Sequence, residues 1–416
     1  MSTSDPVPTL RPGADAAPPV DVLPGGFGRS TLAVGPWSPS AVRGAGCRVW
    51  DQDGRELLDA NGNFTTLVLG HAEPAVVAAA GEALAAGASF GLPHAAERRH
   101  AELLRERIPG VEQVRYANSG TEAVMLALRI ARAHRGRDAV LVVRGAYHGT
   151  ADPVLPAGGP RSSRGVPAAV REQTLVVDAD DLDAIAAAVE RHGERLAAIL
   201  VDLLPNRAGL RPIGDEALAL LERARAATGA LLVVDEVVSF RLGPGGLAPL
   251  RGVRPDLVTL GKAIGGGLPV GAVAGPAAVM GELDPRRPDG LEHGGTMTAN
   301  PVTMAAGIAT LERFDAAAIA RLDRLGERAR TALAAAIAPH GWSVRGAGSL
   351  LRPFAPAGED QRARQLAVWW AAYERGALLT PNALLALSTP MDEAVVDALV
   401  ERVAAAVAAV ATVGPC

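Results

Sequence analysis

Residues Leu231–Gly267 read LLVVDEVVSFRLGPGGLAPLRGVRPDLVTLGKAIGGG. Two unbroken apolar runs, LLVV and LVTL, each lead to a residue able to do chemistry: Asp235 after the first and Lys262 just after the second. Continuous aliphatic runs of this length suit strands buried on both faces, which occur in parallel sheets covered by helices. The 27 positions from Asp235 to Lys262 are about one helix-containing crossover. Ligands of such sheets sit beyond the carboxyl ends of the strands. One crevice can therefore collect Asp235, Lys262 and Asp202, which follows the run AAILV. An Asp at a strand end more often merely caps the next turn, so any one of these residues taken singly favours that plainer reading.

The same alternation extends in both directions. AVLVV, AAILVD and GAVAG read as further buried strands, and PAVVAAAGEALAAG and AAERRHAELLRERI as helices. The fold class expected is α/β, with a parallel sheet in a large domain spanning 74–305. Upstream, GCRVWDQDGRELLDANG alternates apolar and polar residues around the turn signal Asp53-Gly54, a β-hairpin assigned to a small-domain segment at 21–73. Residues 306–416 turn helical again, with GWSVRGAGSLLRPF and ALLALS as strand candidates, and are expected to complete that smaller α+β domain. Residues 1–20, acidic and rich in Pro, read as a disordered arm rather than a secretory signal. VDALVERVAAAVAAVATV carries charges in its first half and reads as an amphipathic helix, not a membrane span.

Composition narrows the function. Hydrophobic residues make up 49% of the 416, but aromatics only 3%, so the core is to be built of Ala, Leu and Val. A net charge of −4, from 41 basic and 45 acidic residues, offers no field for nucleic acid or an anionic membrane, which leaves small molecules as partners. Cys47 and Cys416 suggest neither a disulfide framework nor a metal site, in keeping with a reducing cytoplasm.

Two further stretches carry chemistry. In YANSGTEAVMLALRIARAHRGRD, a strand-like segment runs through Ser119, Gly120 and Thr121 into an amphipathic helix. Free N–H groups, a glycine and two hydroxyls there make a phosphate cup, or else a capping box formed by Ser119 and Glu122. In VVRGAYHGTADP, Tyr147 and His148 stand beside Gly149 after a strand; Tyr147 either stacks on a flat ring or anchors its loop by packing. A phosphate cup, an aromatic lid, a carboxylate and a lysine at neighbouring strand ends are together the parts that hold pyridoxal phosphate.

NSGTEA, YHG, VVDEVVSFRLGPGGL, TLGKAIGGGLPVGA and HGGTMTANPVTMAAG follow one another along the chain. In their order and spacing, from about Leu23 to Val410, the chain resembles the class III aminotransferases of the fold-type-I pyridoxal-phosphate enzymes. It is similar to glutamate-1-semialdehyde aminomutase and, more closely, to β-phenylalanine aminotransferase. The resemblance implies a mostly parallel seven-stranded sheet and makes Lys262 the Schiff-base lysine, with Gly265, Gly266 and Gly267 clearing space around the cofactor. It implies that Asp235 pairs with the pyridine nitrogen, with His148 beside the cofactor and Val237 and Tyr147 on its two faces. Ser119, Gly120 and Thr121 would bind the phosphate and Thr296 of the partner subunit would complete that site, which implies a homodimer.

The resemblance also suggests substrate residues. Arg29 stands where the β-phenylalanine enzymes bind a carboxylate, and Asn63, Phe64 and Ser89 match stretches that line the pocket. Asn382 stands where those enzymes carry a second arginine, whose charge an amide cannot replace. Pro205 stands where many aminotransferases carry a glutamine. Arg207, two residues on, reads either as an additional anion-binding group or as a surface arginine, and the surface is favoured. The implied reaction is transfer of an amino group between a β-amino acid, or a related carboxylate-bearing amine, and a keto acid. An intramolecular aminomutase is the alternative, with racemase or other pyridoxal-phosphate chemistry next. A nicotinamide dehydrogenase should show G-x-G-x-x-G after its first strand, and a P-loop has its lysine after its glycines; neither pattern is found. A non-catalytic binding protein would leave both Lys262 and Asp235 without a purpose.

Overall fold

The computed structural model describes residues 22–35 and 37–412. The expected arm at 1–20 and Cys416 lie outside the described residues. The chain divides into two compact units, one of residues 65–69 and 74–323 and the other of the N- and C-terminal remainder.

The terminal unit opens with β1 (Ala41–Ala45), β2 (Arg48–Asp51) and β3 (Glu56–Asp59), an antiparallel meander. The turn after β2 forms because the Asp51 carboxylate accepts from the backbone N–H groups of Asp53 and Arg55, while Gly54 adopts φ +79°.

In the large unit seven strands follow: β4 (Gln113–Ala117), β5 (Ala139–Val143), β6 (Thr174–Val177), β7 (Leu196–Val201), β8 (Leu231–Asp235), β9 (Leu257–Gly261) and β10 (Gly271–Gly275). Their order in the sheet is β4-β10-β9-β8-β7-β5-β6. Pairing is parallel from β6 through β9, whereas β10 runs antiparallel to both β9 and β4. GAVAG is thus a buried strand, as read, but not a parallel one. Every residue of β5, β7, β8, β9 and β10 is buried, because apolar cores cover both faces of the sheet. One face carries helix Gly120–Arg135 and side chains such as Val140, Leu200 and Val233. The other carries Leu260, Ile264 and Ala272 with Leu104 and Met304 from flanking helices.

The large unit extends past the boundary expected at 305. That position falls inside helix Pro301–Arg313, which packs along helices Pro74–Ala86 and Ala95–Arg107 and so stays with the sheet through Asp323.

The terminal unit resumes with β11 (Ser343–Ala347), β12 (Leu350–Phe354), β13 (Ala377–Leu378) and β14 (Leu385–Ala386). β13 adds in parallel to β3, so the hairpin and the C-terminal segment share one sheet. Helix Glu393–Thr412 buries Val396, Leu399, Val400, Val403, Ala406, Val407 and Val410, a stripe of helical period, against helix Gln361–Glu374. Among the described residues no helix is long and apolar enough to cross a membrane.

Candidate active site

Asp235 ends β8, and the chain bends so that the next amide turns back onto it. Its Oδ1 accepts from Val237 N at 3.0 Å and from Thr259 Oγ1 at 3.1 Å, and its Oδ2 accepts from His148 Nδ1 at 2.7 Å. The carboxylate is 5% exposed and His148 only 2%, so this ion-pair geometry lies deep in the unit. Three hydrogen-bond partners hold such a buried carboxylate in one orientation. Asp202, just past β7, is buried close by; it accepts from Leu204 N at 2.9 Å. Burial, with the Asp235 charge beside it, pushes its pKa up to about 7.

Lys262 follows β9 directly and opens a tight turn, Lys262–Gly265, with φ +48°. A left-handed backbone is uncommon for a residue with a side chain and points to a constrained position. Burial lowers the pKa of its amine, against the raising effect of Asp235 and Asp202, and the Arg207 charge lowers it further. The turn is held from behind by His100, whose Nε2 meets the Ile264 carbonyl at 2.7 Å while its Nδ1 meets the Tyr116 hydroxyl at 2.8 Å. Burial drives the His100 pKa down to about 4, so this ring is neutral. Neither His100 nor Tyr116 carries a sequence signal for the role, since each is one residue within an ordinary helix or strand.

At the head of helix Gly120–Arg135 half of the capping box is made: Ser119 Oγ accepts from Glu122 N, while the Glu122 carboxylate reaches one residue past the cap and accepts from Asn118 N. This does not consume the anion site, because the N–H groups of Gly120 and Thr121 precede any intrahelical acceptor. Gly120 lies so near Val237 that a Cβ would meet its methyls at 3.0 Å. Gly149, at φ +91°, packs on Thr121, where a Cβ would overlap the hydroxyl, and the Thr150 amide donates to that hydroxyl. The loop bearing Tyr147 and His148 is thereby closed down onto the helix terminus. Tyr147 remains 43% exposed, with the Arg207 guanidinium 3.8 Å from its ring centroid.

The large unit thus gathers Lys262, Asp235, His148, Val237, Tyr147 and the Ser119–Thr121 terminus at one end of its sheet. A family model for class-III aminotransferases matches residues 34–381. The chain belongs to the class-III aminotransferases. Glutamate-1-semialdehyde 2,1-aminomutase of Thermus thermophilus is 40% identical over 347 residues, covering 80% of this chain and 81% of the relative. An omega-transaminase from Sphaerobacter thermophilus superposes with TM-score 0.89 at 38% identity, covering 94% of this aminotransferase and 95% of the other chain. A β-phenylalanine aminotransferase from Variovorax paradoxus gives TM-score 0.83 at 35% identity, with 92% and 90% covered. The fold is that of the fold-type-I pyridoxal-phosphate enzymes, and pyridoxal phosphate is the cofactor of this family.

The residues present fit that group. His148 Nε2 is buried without a hydrogen-bond partner among the described residues, as a group set beneath a ligand would be. The first-turn amides of Gly120 and Thr121 can receive a phosphate, Asp235 a protonated ring nitrogen, and the Lys262 amine a carbonyl carbon. No cluster of three His, Cys, Asp or Glu able to hold a metal occurs among the described residues.

The remaining sequence candidates fall elsewhere. In the terminal unit Arg29, Asn63 and Phe64 come together: Arg29 Nη2 donates to Asn63 Oδ1 at 2.8 Å, and its guanidinium lies 5.0 Å from the Phe64 ring centroid. Asn63 and Phe64 adopt φ of +48° and +56°, held by the Asn61 carboxamide, which accepts from Phe64 N at 2.6 Å. Asn382 Oδ1 accepts from Thr380 Oγ1 at 2.6 Å within its own turn. In the large unit Ser89 and Thr296 are exposed on loops. A Cβ on Gly266 would lie 2.6 Å from the Ala306 carbonyl and one on Gly265 would lie 2.5 Å from Val270, so these glycines let the turn approach its own scaffold.

Proposed function

We propose that this aminotransferase acts on a β-amino acid or a related carboxylate-bearing amine, passing its amino group to a keto acid. Lys262 would attach the cofactor and move the proton between the amine-bearing carbon of the substrate and its own amine, work that requires an unprotonated nitrogen. The observation that carries this assignment is the position of Lys262 in a constrained turn directly after β9, at the same sheet end as the buried Asp235–His148 pair; burial lowers the pKa of its amine in keeping with it. When bound, pyridoxal phosphate supplies a ring that takes up the electron pair released as a substrate bond breaks. Asp235, oriented by His148 and Thr259, keeps the ring nitrogen protonated. Val237 and Tyr147 pack its faces, and Ser119, Gly120 and Thr121 hold the phosphate.

For the substrate, the Arg29 fork is pre-set by Asn63 and Phe64, and a guanidinium so held binds a carboxylate in bidentate fashion. The likeness to the Variovorax enzyme supports the β-amino acid. Ser89 and Asn382 are assigned to the pocket wall on the resemblance alone. The exposed Thr296 reaches the phosphate site of a second copy in a homodimer.

The name of the Thermus relative favours a second reading, in which the amine moves within one molecule. Incubating holoenzyme with β-phenylalanine, with and without 2-oxoglutarate, separates the two. We expect repeated turnover only with the acceptor; conversion of an amino substrate to its isomer without any acceptor would favour the mutase. Arg29→Ala is expected to raise the half-saturating concentration of β-phenylalanine about tenfold or more while sparing 1-phenylethylamine. Equal loss for both amines removes the carboxylate role.

A further inference from the structure

Helix Ala95–Arg107 buries three side chains: Leu103, Leu104 and His100. An imidazole at such a core position is costly to desolvate unless its ring nitrogens find partners. Both do. Nε2 meets the Ile264 carbonyl at 2.7 Å and Nδ1 the Tyr116 hydroxyl at 2.8 Å, and burial keeps the ring neutral. A carbonyl only accepts, so Nε2 carries the hydrogen and Nδ1 accepts from the Tyr116 hydroxyl. Tyr116 is itself fixed, buried on β4 and paired with Ala272 of β10. It thereby selects the tautomer that donates to Ile264.

What that donor holds is a strained turn. Ile264 lies within Lys262–Gly265, where Lys262 takes φ +48°. A left-handed backbone at a residue with a side chain persists only where its surroundings over-determine it. Ile264 supplies the anchor: its side chain is fully buried in the core that holds Leu104, Leu260 and Met304, and its carbonyl is held by His100. Gly307 lets helix Pro301–Arg313 close against this bond, since a Cβ there would overlap the Ile264 carbonyl and lie 2.5 Å from His100 Nε2. Water is thus kept from competing for the carbonyl. A leucine in place of His100 would satisfy the helix contact as Leu103 and Leu104 do, but it would offer no donor. The imidazole serves the turn rather than the helix.

We propose that His100, oriented by Tyr116, is a positioning residue that locks the Lys262 turn in its strained form and so fixes the direction of the lysine amine. It acts through the backbone two residues beyond the lysine, not on the reacting atoms. The proposal rests on the assignment of Lys262 to the cofactor and is independent of the substrate. Once the turn is released, the amine can leave its buried place and the charges of Asp235, Asp202 and Arg207 that act on it. Burial lowers its pKa, so release should move its titration upward, toward that of an ordinary lysine.

Two readouts test this in wild type, His100→Leu, His100→Gln and Tyr116→Phe. The first is hydrogen exchange of apoenzyme peptides covering 260–268. His100→Leu is expected to speed exchange there about tenfold or more, whereas His100→Gln, whose amide offers one donor and one acceptor, stays within about threefold of wild type. Tyr116→Phe removes only the partner of Nδ1 and is expected to fall between. The second is the pH profile of cofactor attachment, the rate at which pyridoxal phosphate added to apoenzyme becomes fixable by borohydride. Attachment needs the unprotonated amine, so the midpoint should move up by about half a pH unit or more in His100→Leu and be restored in His100→Gln. A lower thermal midpoint in His100→Leu, with exchange at 260–268 and the pH midpoint as in wild type, overturns the proposal and leaves His100 a core residue. Equal losses in His100→Gln and His100→Leu overturn it too, because the donor would then not be the agent. If His100→Leu does not fold, Tyr116→Phe decides, and wild-type exchange in that variant overturns the proposal. Borohydride fixation mapped in wild type checks the lysine separately: its absence from Lys262 would refute that assignment, while the exchange comparison would still decide whether His100 locks the turn.

Discussion

At the scale of single residues the site is a set of opposed charges kept dry. Asp202 shows the consequence most directly. Its pKa, about 7 in the folded chain against 3.8 for an ordinary Asp, is raised, so the folded state holds a proton that the unfolded state has released. A raised acid pKa contributes stability that is complete below about 4 and lost progressively as pH rises toward 7. Asp202→Asn removes the titration. The thermal midpoint of the variant relative to wild type, both without cofactor, should therefore rise across pH 4.5–7.5; a difference flat in pH would show that Asp202 titrates normally. Lys262 and Asp235 are legible in the sequence because each follows an apolar run whose end a parallel sheet must place at the ligand face. His100 is not, because one histidine inside a helix carries no local sign that its ring will reach the Ile264 carbonyl of the Lys262 turn. The pairing of Arg29 with Asn63 spans 34 positions and is equally invisible, although resemblance names both residues.

At the scale of elements, hydrophobic period gives strand positions but not direction. GAVAG is buried on both faces, and such a run carries no record of which way it runs. β6, a four-residue strand at the sheet edge, is too short to stand out from its surroundings. The glycines after Lys262 are sites of close approach: Gly265 meets Val270, Gly267 meets Leu67, and Gly266 meets Ala306 of helix Pro301–Arg313. There Gly307 meets the Lys262 turn: a Cβ on it would overlap the Ile264 carbonyl and lie 2.5 Å from His100 Nε2. Alanine is the better helix former by about 1 kcal/mol, yet the overlap involves backbone that cannot rotate away. Gly307→Ala is expected to destabilise by about 1–3 kcal/mol and to weaken cofactor retention by displacing the turn. Gly81 in helix Pro74–Ala86 is the control, since a methyl group added there would meet nothing within 4 Å. Gly81→Ala should leave stability unchanged or raise it by up to about 1 kcal/mol. Thermal midpoints of the two variants decide whether steric overlap or helix propensity governs this face.

At the scale of the whole molecule, the proposed dimer makes a claim that subunit mixing can check. Thr296 is exposed in its own chain, and its proposed task is to reach the phosphate held by Ser119, Gly120 and Thr121 of a second copy. Lys262→Ala removes the amine and Thr296→Val the hydroxyl, so each variant alone has two defective sites per dimer. In a mixed dimer the defects redistribute. If Thr296 acts across the interface, the Lys262 of the Thr296→Val chain is completed by the intact threonine of its partner, and one site of wild-type composition forms. If Thr296 acts within its own chain, the Lys262→Ala subunit has no lysine and the other has no threonine, so no whole site exists. Co-expressed, differently tagged chains purified as the heterodimer therefore give opposite results. Cofactor that borohydride can fix, retained through dialysis at about half the wild-type level, supports action in trans. Retention no better than in the Thr296→Val homodimer places the threonine in its own subunit, and a single-chain mass at all concentrations removes the dimer.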